Sequence, residues 1–101
     1  MPTQINVRNY KRRDIRDAVD LRDRMLQEIL KGESVLVNFE GVNVGLPRFF
    51  EEAFGGLLGL IDLKDLDDRV RIVGAQDSDR AMLHNAISEA TKAKERSRGH
   101  A

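Results

Sequence analysis

The stretch "NFEGVNVGLPRFFEEAF", residues 38–54, decides how this chain is read. Upstream, "SVLVNF" is a nearly continuous apolar run. Val35, Val37 and Phe39 share one face of it, as in an inner strand. Downstream, Pro47 suits the first turn of a helix, where its missing N–H costs nothing. Phe50, Phe54, Leu57, Leu58 and Ile61 then recur at helical spacing. A short loop carrying Gly41 and Gly45 joins the two. Junctions of this kind are where α/β proteins place anions and ligands, because helix N-termini attract negative charge and strand ends project side chains.

Working outward, "QINVRNY" alternates Ile5 and Val7 with polar neighbours, which predicts a short edge strand. Ala18, Leu21, Met25 and Ile29 predict a helix over 14–31, with Asp14 or Asp17 as its cap and Lys31–Gly32 as its stop. Beyond the central helix, "DLKDLDD" reads as an acidic connection and "RVRIVGA" as a second inner strand. "QDSDRAMLHNAISEATKAKE" reads as a last helix, capped by Asp77 or Ser78, with Leu83, Ala86, Ile87 and Ala90 on one face. Three glycines, Gly55, Gly56 and Gly59, interrupt the central helix. They predict either its end or a close approach to another backbone. Strand, helix, strand, loop, helix, strand, helix is the order of an α/β layer with its inner strands parallel. The expected fold is a small mixed β-sheet with helices packed mainly on one face, over residues 1–91, followed by a disordered polar tail over 92–101.

The bulk numbers narrow the function. A chain of 101 residues suits one domain. Seventeen basic residues balance seventeen acidic ones, so no overall field draws the chain to nucleic acid. There is no Cys, which removes disulfides, thiolate metal sites and thiol catalysis. The opening "MPTQINVRNYKRR" has no apolar signal core, and no apolar run approaches about 18 residues. The expectation is a cytoplasmic protein without a membrane partner.

No catalytic, metal or cofactor constellation is visible. His84 and His100 stand in no ligand-like spacing. Asp14, Asp17 and Asp20 alternate with Arg13, Arg16 and Arg22 in the manner of a solvated helix face. "GVNVG" and "FGGLLG" match no phosphate-binding fingerprint, and no Ser sits in a nucleophile elbow. Two basic clusters, Arg8 to Arg16 and Lys92 to Arg98, contain Tyr10 as their only aromatic, which disfavours nucleic-acid binding. From Val35 to Asp77 there is no Ser, Thr or Tyr, so the central junction has neither a hydroxyl nucleophile nor a phosphorylatable side chain. The chain is therefore expected not to be an enzyme.

"VLVNFEGVNVGLPRFFEEAFGGLL", Val35 to Leu58, resembles the bacterial STAS-like domain family of unknown function, related in fold to anti-sigma-factor antagonists. "LRDRMLQEILKGES" and "RVRIVGAQDSDRAMLHNAI" are similar to its first helix, last strand and last helix. The resemblance covers roughly Val19 to Glu89. It implies a regulatory protein-interaction domain with a protein partner, a kinase-like ATPase in the antagonist case, released when a Ser at the second helix start is phosphorylated. The matching positions here are Leu46, Pro47 and Arg48, a departure from that phosphoswitch pattern.

Arg48 is a cation in the first turn of a helix, which opposes the dipole by roughly 0.3–1 kcal/mol. Glu51 and Glu52 are placed to offset it. Partner docking is expected at Asn43, Val44, Leu46, Arg48, Phe49 and Glu52, with the adjoining end of the first helix. The alternatives are a small-anion or nucleotide site at the Pro47–Arg48 helix start, a nucleic-acid accessory role for the basic clusters, and self-association through "FFEEAFGGLLGLI".

Overall fold

The computed structural model describes residues 3–98. Three four-residue strands, β1 (Thr3–Asn6), β2 (Val35–Asn38) and β3 (Val70–Val73), form a sheet in the order β1-β2-β3. Ile5 pairs with Val37, and Val37 with Ile72, in parallel register. Both pairings being parallel, the sheet is purely parallel and not the mixed sheet expected. β1 and β2 are each followed by a helical crossover to the next strand, and a parallel neighbour is what such a crossover delivers.

Helix α1 (Ile15–Leu30) joins β1 to β2. Asp14 is its cap, accepting the Asp17 N–H at 3.1 Å, while Asp17 turns back to accept the amides of Arg12 (3.2 Å) and Arg13 (2.6 Å). Those bonds hold Arg13 at φ 49°, a left-handed conformation that non-glycine residues rarely adopt. At the other end Gly32, at φ 82°, reverses the chain, and Glu33 N–H reaches the Glu28 carbonyl at 2.9 Å.

Helix α2 spans 47–58 without a break. Pro47–Phe50 and Gly56–Leu58 are α-helical, and Glu51–Gly55 between them is a wider π-helical turn. This turn lies between α1 and the last helix. A Cβ built on Gly56 would stand 3.1 Å from Arg22 Cδ, so the glycine lets the α1 side chain lie across the helix. The segment "LKDLDDR", expected as a bare connection, is helix α3 (Leu63–Arg69), anchored by buried Leu66. Helix α4 runs Asp77–Arg98. It continues where a polar tail was expected from residue 92. Lys94 ties it down by donating to the carbonyls of Leu58 (2.9 Å) and Ile61 (2.7 Å). Residues 99–101 of that tail lie outside the described residues.

The order β1-β2-β3 with two like-handed crossovers sends the helices to one face of the sheet. Ile5, Val35 and Val37 point into a core shared with Phe39, Phe49, Phe50, Phe54, Leu21 and Met25, all essentially without exposure. The opposite face carries Gln4, Asn6, Leu36, Asn38, Arg71 and Val73. Parallel sheets are usually covered on both sides. This one meets solvent on a polar ladder, in which Asn6 Oδ1 accepts from Gln4 (2.9 Å) and Asn38 (3.3 Å). Among the described residues no helix is long and apolar enough to cross a membrane.

Candidate functional site: the loop between β2 and α2

The loop leaves the C-terminal end of β2. Phe39 N–H extends the ladder to the Val73 carbonyl at 2.9 Å. Asn38 Oδ1 accepts the Glu40 amide at 3.0 Å, and Val42 N–H closes a turn on the Phe39 carbonyl at 3.0 Å. Val42 is buried and pins the middle of the loop. The β3–α4 connection packs directly against it. Gly74, at φ 75°, approaches so closely that a Cβ there would lie 2.7 Å from the Glu40 amide nitrogen.

Asp79, in the first turn of α4, has no exposed surface and is the buried charged residue among those described. Its Oδ2 accepts the Val44 N–H at 2.7 Å, and its Oδ1 accepts the Gly45 N–H at 2.9 Å. A carboxylate is costly to bury unless both oxygens are satisfied. Here two successive loop amides do that, and the positive end of α4 adds to it. The loop is therefore held in shape at Phe39, Val42, Val44 and Gly45. The sequence "QDSDR" reads first as a helix cap at Asp77 or Ser78, which leaves Asp79 unremarked. The helix includes Asp77, and its first-turn bond runs from Arg80 N–H to the Gln76 carbonyl. A signal was present: Asp79 stands on the inward stripe with Leu83, Ala86 and Ala90 at helical spacing.

The expected docking residues divide. Asn43, Leu46 and Arg48 are exposed, and Leu46 at 37% is one of few large apolar side chains so placed. Val44 is half-buried, with its amide taken by Asp79. Phe49 is a correction: it is fully buried, edge-on to Phe50 with ring centroids 5.6 Å apart, and presents nothing to a partner. Helical geometry explains this, because Phe49, Phe50, Ala53 and Phe54 form one wide inward stripe. Glu52 pairs with Arg22 of α1 at 3.7 Å and not with Arg48. No ion pair or side-chain hydrogen bond of Arg48 forms among the described residues, and the side chain is exposed.

Two hollows on the surface lie away from the loop. One is lined by Leu58, Leu63, Thr91 and Lys94, another by Ser34, Leu36, Asp68 and Arg71. Neither includes a residue of 43–48. No group of three or more metal-ligand side chains gathers among the described residues. The arrangement is thus a fixed loop that displays one apolar and one cationic side chain.

A family model described as a STAS-like domain of unknown function (DUF4325) matches residues 17–80. The match takes in α1 from Asp17 onward, β2, the loop, α2, α3, β3 and the first turn of α4 with Asp79. β1 and the rest of α4 lie outside it. No curated protein and no solved structure matched the chain.

Proposed function

We propose, since this chain belongs to the family of STAS-like domains of unknown function, that it is a non-catalytic docking domain whose β2–α2 loop binds a protein partner in regulation of the anti-sigma-antagonist kind. One observation carries the reading: a fully buried acid is committed to fixing an exposed loop that borders none of the hollows just described. Val42 anchors the loop in the core, yet Asp79 also fixes the Val44 and Gly45 backbone next to the exposed Leu46. A binding surface gains from this, because pre-organisation reduces the ordering cost of association. Leu46 supplies an apolar contact and Arg48 a cation, so an acidic, partly apolar partner surface fits best.

The loop offers no hydroxyl, so release by phosphorylation at the start of α2 has no acceptor on this chain. Control of binding then falls to the partner or to competition for it.

Affinity capture with quantitative mass spectrometry tests the reading. The wild-type chain, Arg48→Glu, Leu46→Asp and a surface control, Glu89→Lys, serve as baits. A protein retained by wild type and Glu89→Lys but lost with both loop variants supports it. Equal retention by all four baits sinks it.

A further inference from the structure

The paired ends of β1 and β2 bring a second turn alongside the docking loop. Asn6 pairs with Asn38, and the Asn38 side-chain amide donates to Asn6 Oδ1 at 3.3 Å. Past that pair the chain leaves the sheet at the same edge twice, once into residues 7–14 and α1, once into the loop and α2. Helix α1 packs against the first turn of α2, Pro47–Phe50. Arg22 of α1 reaches Glu52 of α2 at 3.7 Å. Arg48 precedes Glu52 by four positions, which puts it on the α1 side of α2, one turn nearer the edge.

The turn before α1 is basic and firmly built. Tyr10 N–H closes a 3-10 turn on the Val7 carbonyl at 2.9 Å, and the Arg13 guanidinium donates to the Tyr10 carbonyl at 2.9 Å. The acids here are engaged with backbone amides or with a hydroxyl: Asp14 with the Asp17 N–H, Asp17 with the Arg12 and Arg13 amides, Asp20 with the Tyr10 hydroxyl. Arg8, Lys11, Arg12 and Arg16 are exposed, and none of their side chains makes an ion pair or hydrogen bond among the described residues. The same holds for Arg48, which forms no ion pair even with Glu51. Residues 8–20 hold five bases and three acids, and Arg48 adds a sixth base. The exposed acids Glu40 and Asp77 sit on the β3 side of this edge, where Gly74 meets Glu40. Residues 62–68, leading into β3 from the opposite edge, hold four acids and one base. A chain of zero net charge is thus polarised, basic where α1 and α2 begin and acidic around α3.

We propose that the basic turn and the docking loop form one surface, and that its occupant is an acidic protein segment carrying apolar side chains. The proposal rests on the docking reading and gives the partner its chemistry. Unpaired cations on a fixed backbone suit carboxylates, which a guanidinium grips with two parallel bonds. Leu46, two positions before Arg48, supplies the apolar contact that a purely ionic partner would leave unused. Nucleic acid fits less well. Tyr10, the single aromatic of the turn, is half-buried with its hydroxyl bound to Asp20, so it offers no free ring to a base.

Backbone NMR of the full chain at low salt tests the proposal, with a synthetic peptide of repeated Glu-Glu-Leu as the probe. A Lys-Lys-Leu peptide and a thymidine oligonucleotide are the comparison probes. The expected result is that the acidic peptide shifts the amides of residues 8–16 together with those of Leu46 and Arg48, and that these shifts fade as salt rises. Lys11→Glu combined with Arg16→Glu should weaken the binding about tenfold. Arg71→Glu combined with Arg96→Glu, a matched change of charge elsewhere, should bind as wild type does. All four side chains are exposed, and unmoved β2 amides check that the fold stands. Shifts confined to Leu46 and Arg48, with no effect of the Lys11 and Arg16 reversals, overturn the proposal and leave the docking loop standing. Shifts confined to residues 8–16 overturn it and count against the loop. Tighter binding of the oligonucleotide than of the acidic peptide, or no shift at either place, also overturns it.

Discussion

Asp79 and Val44 are 35 positions apart in the chain and are joined by a 2.7 Å hydrogen bond from the Val44 amide to the buried carboxylate. The neighbouring Gly45 amide occupies the other oxygen at 2.9 Å. Helix α4 and the β2–α2 loop are therefore one mechanical unit, and the shape of the exposed loop is set from inside the molecule.

Asp79→Asn keeps the size of the side chain but turns one acceptor into an NH2 donor facing an N–H. We expect the Val44 and Gly45 amides to lose protection from hydrogen exchange while those of Leu36 and Val37 in β2 keep theirs. Stability should fall by about 1–3 kcal/mol in denaturant unfolding. Unchanged protection at Val44 and Gly45 would mean that the carboxylate does not hold the loop.

Gly74→Ala and Gly32→Ala separate two costs of a left-handed residue. Both glycines have positive φ, but nothing lies within 4 Å of a Cβ at Gly32, whereas at Gly74 the Glu40 backbone lies at 2.7 Å. Gly32→Ala should cost the conformational penalty of about 1–2 kcal/mol. Gly74→Ala should cost clearly more, because the β3–α4 turn must also move off the loop. Equal unfolding midpoints for the two variants would contradict the close approach.

Tyr10 is the chain's single Tyr, and there is no Trp, so alkaline absorbance reads it alone. Burial pushes its phenol up from 10.0 to about 12, with its hydrogen bond to Asp20, 2.7 Å long, as the next cause. A raised pKa favours the neutral form in the fold. The associated stability is present below pH 10.0 and is lost as pH rises toward about 12. The folded chain should titrate near the upper value and the urea-unfolded chain near the lower. Titration of the folded chain at the lower value would show the phenol to be in solvent.

Lys94→Met should loosen the end of α2, leaving the Leu58 and Ile61 carbonyls without their charged donor. A loss of about 1–2 kcal/mol is expected, allowing for the partial exposure of Lys94. Cutting the chain after Ala90 should cost at least as much. If truncation leaves the unfolding midpoint unchanged, residues 91–98 are a tail after all.

The alternation of elements, the helix over α1 and the inner strand β2 were legible because their apolar periodicities are strong and locally determined. The strand "RVRIVGA", expected as a second inner strand, is β3 at the sheet edge, because no fourth strand pairs beyond it among the described residues. The π-helical turn, the helix "LKDLDDR" and the reach of α4 were not. Each depends on something distant: Arg22 over Gly56, the core site that takes Leu66, and carbonyls that meet Lys94. The loop itself was found from "NFEGVNVGLP". Its display was only partly found, since Phe49 faces the core and Glu52 belongs to Arg22. An acid at a helix start reads first as a cap; the place of Asp79 on the inward stripe hints at burial, and its partners 34 and 35 positions away give its role.

The docking claim is tested most directly by a photo-reactive amino acid placed at position 46 and, separately, at position 85 on an exposed part of α4. The full chain, expressed in its source cell and irradiated, should form a discrete adduct with one protein from position 46 and none with that protein from position 85. Arg48→Glu in the same chain should erase the adduct. No adduct from position 46, or the same adduct from both positions, would contradict the assignment of the β2–α2 loop as the docking surface.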